Sequence, residues 1–391
     1  MSKNINKSKF IILLVGFLDI LGIGIVIPTL PDLAAHYGVS AHLISYGITG
    51  YALAAFLAAP ILGQISDVIG RKKVLIVCVI GSFLSAFMIA ISPVFIFFLI
   101  GRIINGLTGG NISVLQAIIA DISPTKQERS ANMGMLGALF GSAFIVGPLT
   151  GAALLHFGVM VPYWFMAALS LIEIFVIIFA YSETNLHQVT KKIIYNPIKQ
   201  IITYIRKPVV NSFIVSFFIL LTGFALYQSL LSLYLTKEYG VSGSFSGYLM
   251  AGTGIIMVLN QVFLLKRFWL KKFSLKQLLY ILNFGVLVVF ILMSIVHPLP
   301  WFISLFVLLV PLQSLIQPIY SSEIMEHADP NAKGQLMGVM SSVQSMSMFV
   351  GPLLGGFLLD HNISIFMVSA IIVCGSIFLV MTKIRHVIAK E

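Results

Sequence analysis

The sequence predicts an all-α protein that crosses a membrane many times, built as two halves of six spans each. Three observations carry that expectation. Hydrophobic residues make up 59% of the chain and charged ones 9%, with a mean hydropathy of +1.02, whereas soluble domains are about half apolar. The apolar residues lie in long continuous runs rather than in the alternating segments of about ten residues that build membrane barrels, so helices must satisfy the backbone. A glycine–proline pattern also recurs at a fixed offset of 204 residues.

Runs of about twenty residues place the spans near 10–30, 42–62, 74–92, 95–119, 132–156, 161–181, 209–235, 245–265, 276–296, 300–321, 336–358 and 363–382. Lys3, Lys7 and Lys9 precede the first run, which continues to about Pro28 with no small-x-small cleavage site; it reads as an uncleaved span, not a signal peptide. With the N-terminus inside, alternate loops collect 22 of the 24 Lys and Arg residues; Lys237 falls outside and Arg102 within a span. That asymmetry puts both termini in the cytoplasm of a cell with the chain in its plasma or inner membrane. The net charge of +11 is therefore a topology signal, and no nucleic-acid partner is expected.

His36, His42, His156, His297 and His361 fall near the opposite side as solvated loop residues. Cys78 and Cys374 both sit in apolar runs, which supports neither a disulfide nor a thiolate metal site. No G-x-x-x-x-G-K-[ST] loop occurs, so nucleotide hydrolysis is not expected, and neither is a cofactor. The longest polar stretch, Ser182 to Lys207, separates the sixth and seventh spans. It divides the chain into an N-terminal half, 1–183, a cytoplasmic linker, 184–207, and a C-terminal half, 208–391. Met133-Gly134 and Gly147-Pro148-Leu149-Thr150-Gly151 of span five recur as Met337-Gly338 and Gly351-Pro352-Leu353-Leu354-Gly355 of span eleven, and Arg129 maps onto Lys333.

Three charges lie within spans. Asp19 is deep in the first, where a carboxylate must face a cavity or a cation; burial makes it a candidate proton carrier, and a structural ion pair is the competing role. Arg102 in span four shares a stripe with Asn105, Gly109, Ser113 and Gln116, all within about 60° of it at 100° per residue. Arg stays protonated, so it suits a fixed cation that steadies a carboxylate, or helix–helix glue. Glu173 in span six has no motif around it and suits either a substrate cation or a proton.

The cluster Gly63-Gln64-Ile65-Ser66-Asp67-Val68-Ile69-Gly70-Arg71-Lys72-Lys73 resembles the loop between spans two and three of major facilitator transporters. Asp19-Ile20-Leu21-Gly22-Ile23-Gly24-Ile25-Val26-Ile27-Pro28-Thr29-Leu30-Pro31 is similar to the first-span motif of their drug:proton antiporters. Gly141 to Gly151 is similar to the antiporter motif of span five, with Ala152 in place of a closing glycine. Over its whole length the chain resembles the twelve-helix drug:proton antiporters, and its first half is similar to tetracycline-type efflux pumps. The resemblance implies two six-helix halves related by a pseudo-two-fold axis, with a site near the membrane midplane. It implies proton coupling through Asp19 and Arg102, and gating by Gly63, Asp67, Gly70, Arg71, Asp121, Gly147, Pro148, Gly351 and Pro352. In that loop the glycines permit a tight turn, Asp67 can cap a helix of the facing half, and Arg71 can pair with Asp121.

The second half departs from the first. Its loop after span eight, Lys266 to Phe273, lacks the Gly and Asp positions, and its spans hold no clear mid-membrane acid. Tetracycline pumps typically carry one in the ninth span, so its absence argues against that substrate. Substrate contacts are expected from Asn105, Ser113, Gln116, Glu173, Tyr227, Gln228, Asn260, Gln313 and Gln317. The expected function is proton-coupled antiport of amphipathic small molecules by a monomer in the bilayer. The alternative is export of an endogenous sugar, chelate or lysolipid without proton coupling. A membrane enzyme would need clustered acids or histidines at one face; Glu323, Glu326, His327 and Asp329 form the one such run, with no metal or acid–base spacing, so no enzyme is expected.

Overall fold

The computed structural model describes residues 2–109, 111–123, 125–183, 208–326 and 333–388, and no strand occurs among them. The 184–207 linker, His327 and Asp329 lie outside the described residues. The helices are α1 (Ser2–Tyr37), α2 (Ala41–Ile69), α3 (Arg71–Ala90), α4 (Phe95–Thr108), α5 (Asn111–Asp121), α6 (Lys126–Leu155) and α7 (Val161–Ala180). They continue as α8 (Pro208–Gln228), α9 (Leu231–Tyr239), α10 (Gly243–Leu259), a π-helical segment Asn260–Trp269, α11 (Leu275–Ile295), α12 (Leu299–Glu326), α13 (Lys333–Asp360) and α14 (Ile365–Ile388). Among the described residues nine helices are long and apolar enough to cross a membrane. Three shorter apolar ones, Phe95–Thr108, Gly141–Leu155 and Ile365–Leu379, fall where spans four, five and twelve are expected. The protein is an all-helical, multi-pass membrane protein.

Local sequence explains the helix limits. Ser40 Oγ accepts from Leu43 N at the start of α2. Thr125 with Glu128, and Ser274 with Gln277, form reciprocal capping boxes that start α6 and α11. Gly70, at φ +103°, separates α2 from α3 in a conformation that a side chain would strain. Three spans are less regular than the apolar runs suggest. Span four is two helices, because Gly109 turns its N–H onto Gly106 O and the sequence follows it with a second glycine, a poor helix former. Span seven is interrupted at Ser229–Leu230, where Leu230 N turns to Tyr227 O at 3.1 Å. Span eight runs past its expected end and widens into the π-helical segment.

The residues group into two compact units. Met1–Tyr195 and Ser232–Gly254 form the first; Asn196–Leu231 and Ile255–Glu391 form the second. In the first unit α1 packs on α6, α2 on α4 and α3 on α7. The α1–α6 seam is glycine-lined: a Cβ on Gly147 would lie 2.8 Å from Leu21 O, and one on Gly151 2.7 Å from Ile25 O. Side chains there would force the helices apart. In the second unit α13 packs on α8 in the same manner, with a Cβ on Gly351 falling 2.6 Å from the Ala225 carbonyl carbon. Leu21 and Ala225 are themselves 204 residues apart, so the repeat extends from the motif to the surface it packs against.

Candidate functional site

A cavity opens inside the first unit, between α1, α2, α3, α4 and α7, and the mid-span charges Asp19, Arg102 and Glu173 meet there. Asp19, Gly22, Ile23 and Val26 line it from α1, Tyr51 from α2, Ser82 and Ser85 from α3, Arg102 and Asn105 from α4, and Tyr163, Ser170 and Glu173 from α7. Four residues singled out in the sequence (Asp19, Arg102, Asn105 and Glu173) are thus brought together. Arg102 is 4% exposed, its guanidinium carbon is 4.5 Å from the centre of the Tyr51 ring, and its Nε has no hydrogen-bond partner. Glu173 is 3% exposed, with Oε1 unbonded, and lies within electrostatic range of Asp19. Tyr51 is within the same range of both Arg102 and Asp19. Asn105 Nδ2 donates to Ser82 Oγ at 3.3 Å.

The helical stripe of span four holds only in part. Gln116 is exposed on α5 and is not among the cavity-lining residues, because the break after Gly109 resets the rotation of the helix; the Ser113 side chain lies outside the described residues. Tyr51 and Tyr163 are cavity residues that the sequence did not flag. They are neutral side chains in apolar runs, and only their lengthwise position opposite Asp19 and Arg102 could have marked them.

In the second unit Tyr227 is 1% exposed and packs among Phe224, Phe290, Phe306 and Phe366. Its hydroxyl donates to Gln313 Oε1 at 2.8 Å, and Gln313 Nε2 approaches Gln228 Oε1 at 3.4 Å. Gln228 and Gln317 are exposed. Asn260 is buried instead in a helix-to-helix contact: Nδ2 donates to Pro311 O (3.0 Å) and Ser314 Oγ (2.6 Å), and Oδ1 accepts from Trp269 Nε1 (3.0 Å). Span nine places Asn283 in a buried network with Tyr320, Ser216 and Ser376.

At the other candidate site, the charged loop, Arg71 is the hub. It pairs with Asp67 at 2.5 Å and through Nε with Asp121 at 2.9 Å, and Nη1 donates to Ser66 Oγ at 2.6 Å. Asp67 thus meets an arginine of its own half. Glu183, unflagged in the sequence, caps α3: its two carboxylate oxygens accept from Arg71 N and Lys72 N, each at 3.0 Å. It packs directly over Gly70, where any Cβ would collide with it. Gly147, Pro148 and Gly351 lie on the close seams within the two units, and Pro352 follows Gly351 inside α13.

This arrangement has known relatives. The family model of the Major Facilitator Superfamily matches residues 12–352 and 213–388. The class E tetracycline resistance protein of Escherichia coli is 30% identical over 363 residues, covering 90% of this chain and 88% of its own. The quinolone resistance protein NorA of Staphylococcus aureus is 28% identical over 395 residues, covering 99% of each. Among solved structures, the human organic anion transporter MFSD10 superposes with a TM-score of 0.71 at 21% identity over 96% of this chain and 99% of its own. A bacterial homologue of the lysosomal transporter Spinster gives 0.75 at 14% over 100% and 96%. The chain belongs to the Major Facilitator Superfamily and has the fold of its transporters.

Proposed function

We propose that the protein is a proton-coupled efflux antiporter. It exports amphipathic, preferentially cationic small molecules by alternating access, as a monomer in the plasma or inner membrane with both termini in the cytoplasm. The observation that carries this is the cavity of the first unit, where two carboxyl groups, Asp19 and Glu173, face one guanidinium, Arg102. With both acids ionised the cavity holds one more negative charge than Arg102 balances, and a proton or a cationic substrate can supply the difference. Protonation of Asp19 removes its attraction to Arg102 and favours the other opening of the transporter. Resistance proteins among the relatives, for tetracycline and for quinolones, support drug export. The lack of a clear acid in the ninth span, where tetracycline pumps typically carry one, points to other amphipathic drugs.

The functional division remains 1–183, 184–207 and 208–391, with Tyr227, Gln228, Asn260, Gln313 and Gln317 contributing from the second half. The protein acts without a cofactor and is no enzyme. The test is drug-induced collapse of a proton gradient in everted vesicles from a pump-deficient host. Wild-type protein should release the gradient on addition of ethidium, and Asp19→Asn should not. Gradient-dependent ethidium export at normal rates in Asp19→Asn would sink the proposal.

A further inference from the structure

Asp32 takes no part in the coupling scheme above, yet its surroundings suit a proton carrier. It lies 13 residues beyond Asp19 on α1, about 20 Å along the helix axis, toward the end that the charge count places outside. Its Oδ2 is buried and has no hydrogen-bond partner. No lysine or arginine pairs with it among the described residues, in contrast to Asp67 and Asp121, which Arg71 holds. The titratable group within electrostatic range of it is Tyr163 of α7. From α10, Gly243 lies against Oδ2 so closely that a Cβ there would collide with it, and Leu155 of α6 borders the same spot.

Tyr163 links this acid to the cavity. Its hydroxyl is 2.7 Å from Thr29 Oγ1, one turn before Asp32, and Thr29 Oγ1 is 2.7 Å from Val26 O. The same tyrosine lines the cavity beside Arg102 and is within electrostatic range of Asp32 on one side and Arg102 on the other. Thr29 is three residues from Val26 and three from Asp32, so it neighbours each of them on α1 between the cavity and the outer end.

We infer that Asp32 is the outer proton acceptor, and that the hydroxyls of Tyr163 and Thr29 pass its proton into the cavity that holds Asp19. The inference rests on the antiport proposed above. In one passage the Asp32 carboxyl loses a proton and the Asp19 carboxylate gains one; each hydroxyl gives up a proton and takes another, and ends neutral. A carboxyl that no cation holds can change charge readily, which is the property a transfer group requires. The competing role is a fixed anion at the N-terminus of α10, where the helix dipole favours negative charge.

Asp32→Asn removes the charge in either role, so the two are separated by which step it slows: loss of a relay slows only the proton-driven step, and loss of a fixed anion slows exchange equally. The full chain is reconstituted in liposomes loaded with the pH dye pyranine, and ethidium is the transported probe. After an acid jump, Asp32→Asn should slow proton-driven ethidium transport at least tenfold, with unchanged protons moved per ethidium. Ethidium–ethidium exchange without a gradient should keep its wild-type rate. Tyr163→Phe should slow the driven step too, and Asp32→Glu should restore it. A wild-type driven rate in Asp32→Asn, an equal loss in exchange, or a changed proton count would each overturn the relay. Asp19→Asn is measured in parallel: retained coupling there defeats the antiport proposal itself, whatever Asp32 does.

Discussion

Gly147 on α6 faces the carbonyl oxygen of Leu21 on α1 so closely that a Cβ would sit 2.8 Å from it, and the contact has a counterpart 204 residues on, Gly351 against Ala225. Neither neighbour is the end of a flexible side chain; both are backbone. A β-branched residue must therefore part the helices, and α1 would carry Asp19 with it. Gly147→Val should lower thermal stability, since overpacking costs about 1–3 kcal/mol, and should reduce ethidium export more than tenfold. Gly375 has nothing within 4 Å of its missing Cβ, so Gly375→Ala should leave both unchanged. Equal behaviour of the two variants would show that the seam is not needed.

Much of this was legible in the sequence because membrane helices leave so few choices. The spans follow from continuous apolar runs, and the halves from the 204-residue repeat. Asp19, Arg102, Asn105 and Glu173 could be picked out as polar groups that hydrocarbon would not tolerate alone, and they do meet. Reasoning by helical rotation failed past Gly109, because a 100° step assumes an unbroken helix. In the second half Asn260 bonds Ser314 and Tyr227 bonds Gln313 in packed interiors, and pattern alone cannot tell a buried hydrogen bond from an open one. Glu183 was missed since a carboxylate at a span end looks like any loop charge until the helix it caps is known.

Arg71 binds two acids of unequal exposure, and that ranks them. The Asp67 side chain is 48% exposed and that of Asp121 26%. Solvent screens the first pair more, so it contributes little to stability. Asp121→Asn should destabilise the purified protein more than Asp67→Asn, measured as thermal unfolding in detergent. Glu183→Ala should cost about 1 kcal/mol, as loss of an N-terminal cap does. The reverse ranking of the two aspartates would refute the assignment of Asp121 as the principal partner.

Glu173 sets the charge of the cavity. Glu173→Gln leaves one carboxyl to one guanidinium, with little change of shape. Affinity for ethidium, a permanent cation, should fall at least tenfold in equilibrium binding, while a neutral compound such as chloramphenicol should change less than threefold. Removal of an attraction worth 1.4 kcal/mol or so corresponds to that tenfold loss. Equal losses for both compounds would indicate damage to the cavity rather than loss of charge.

Asn260 joins the π-helical segment to α12 through three hydrogen bonds, so it braces the helices as well as contributing to the second half's path. π-Helical turns persist in helices where something specific holds them, and here Asn260 is the one side chain that grips Pro311, Ser314 and Trp269 together. Asn260→Ala leaves the Trp269 indole N–H and the Pro311 carbonyl without that partner, which costs about 1–3 kcal/mol. The indole reports the change directly: with Trp164 and Trp301 replaced by Phe, Trp269 is the one tryptophan left of three. Its emission should shift to longer wavelength in Asn260→Ala, and the unfolding temperature should fall. Asn260→Asp keeps the acceptor for Trp269 and should retain the emission while losing the bond to Pro311. An unshifted spectrum in Asn260→Ala, with ethidium affinity lost instead, would leave Asn260 with the substrate role alone.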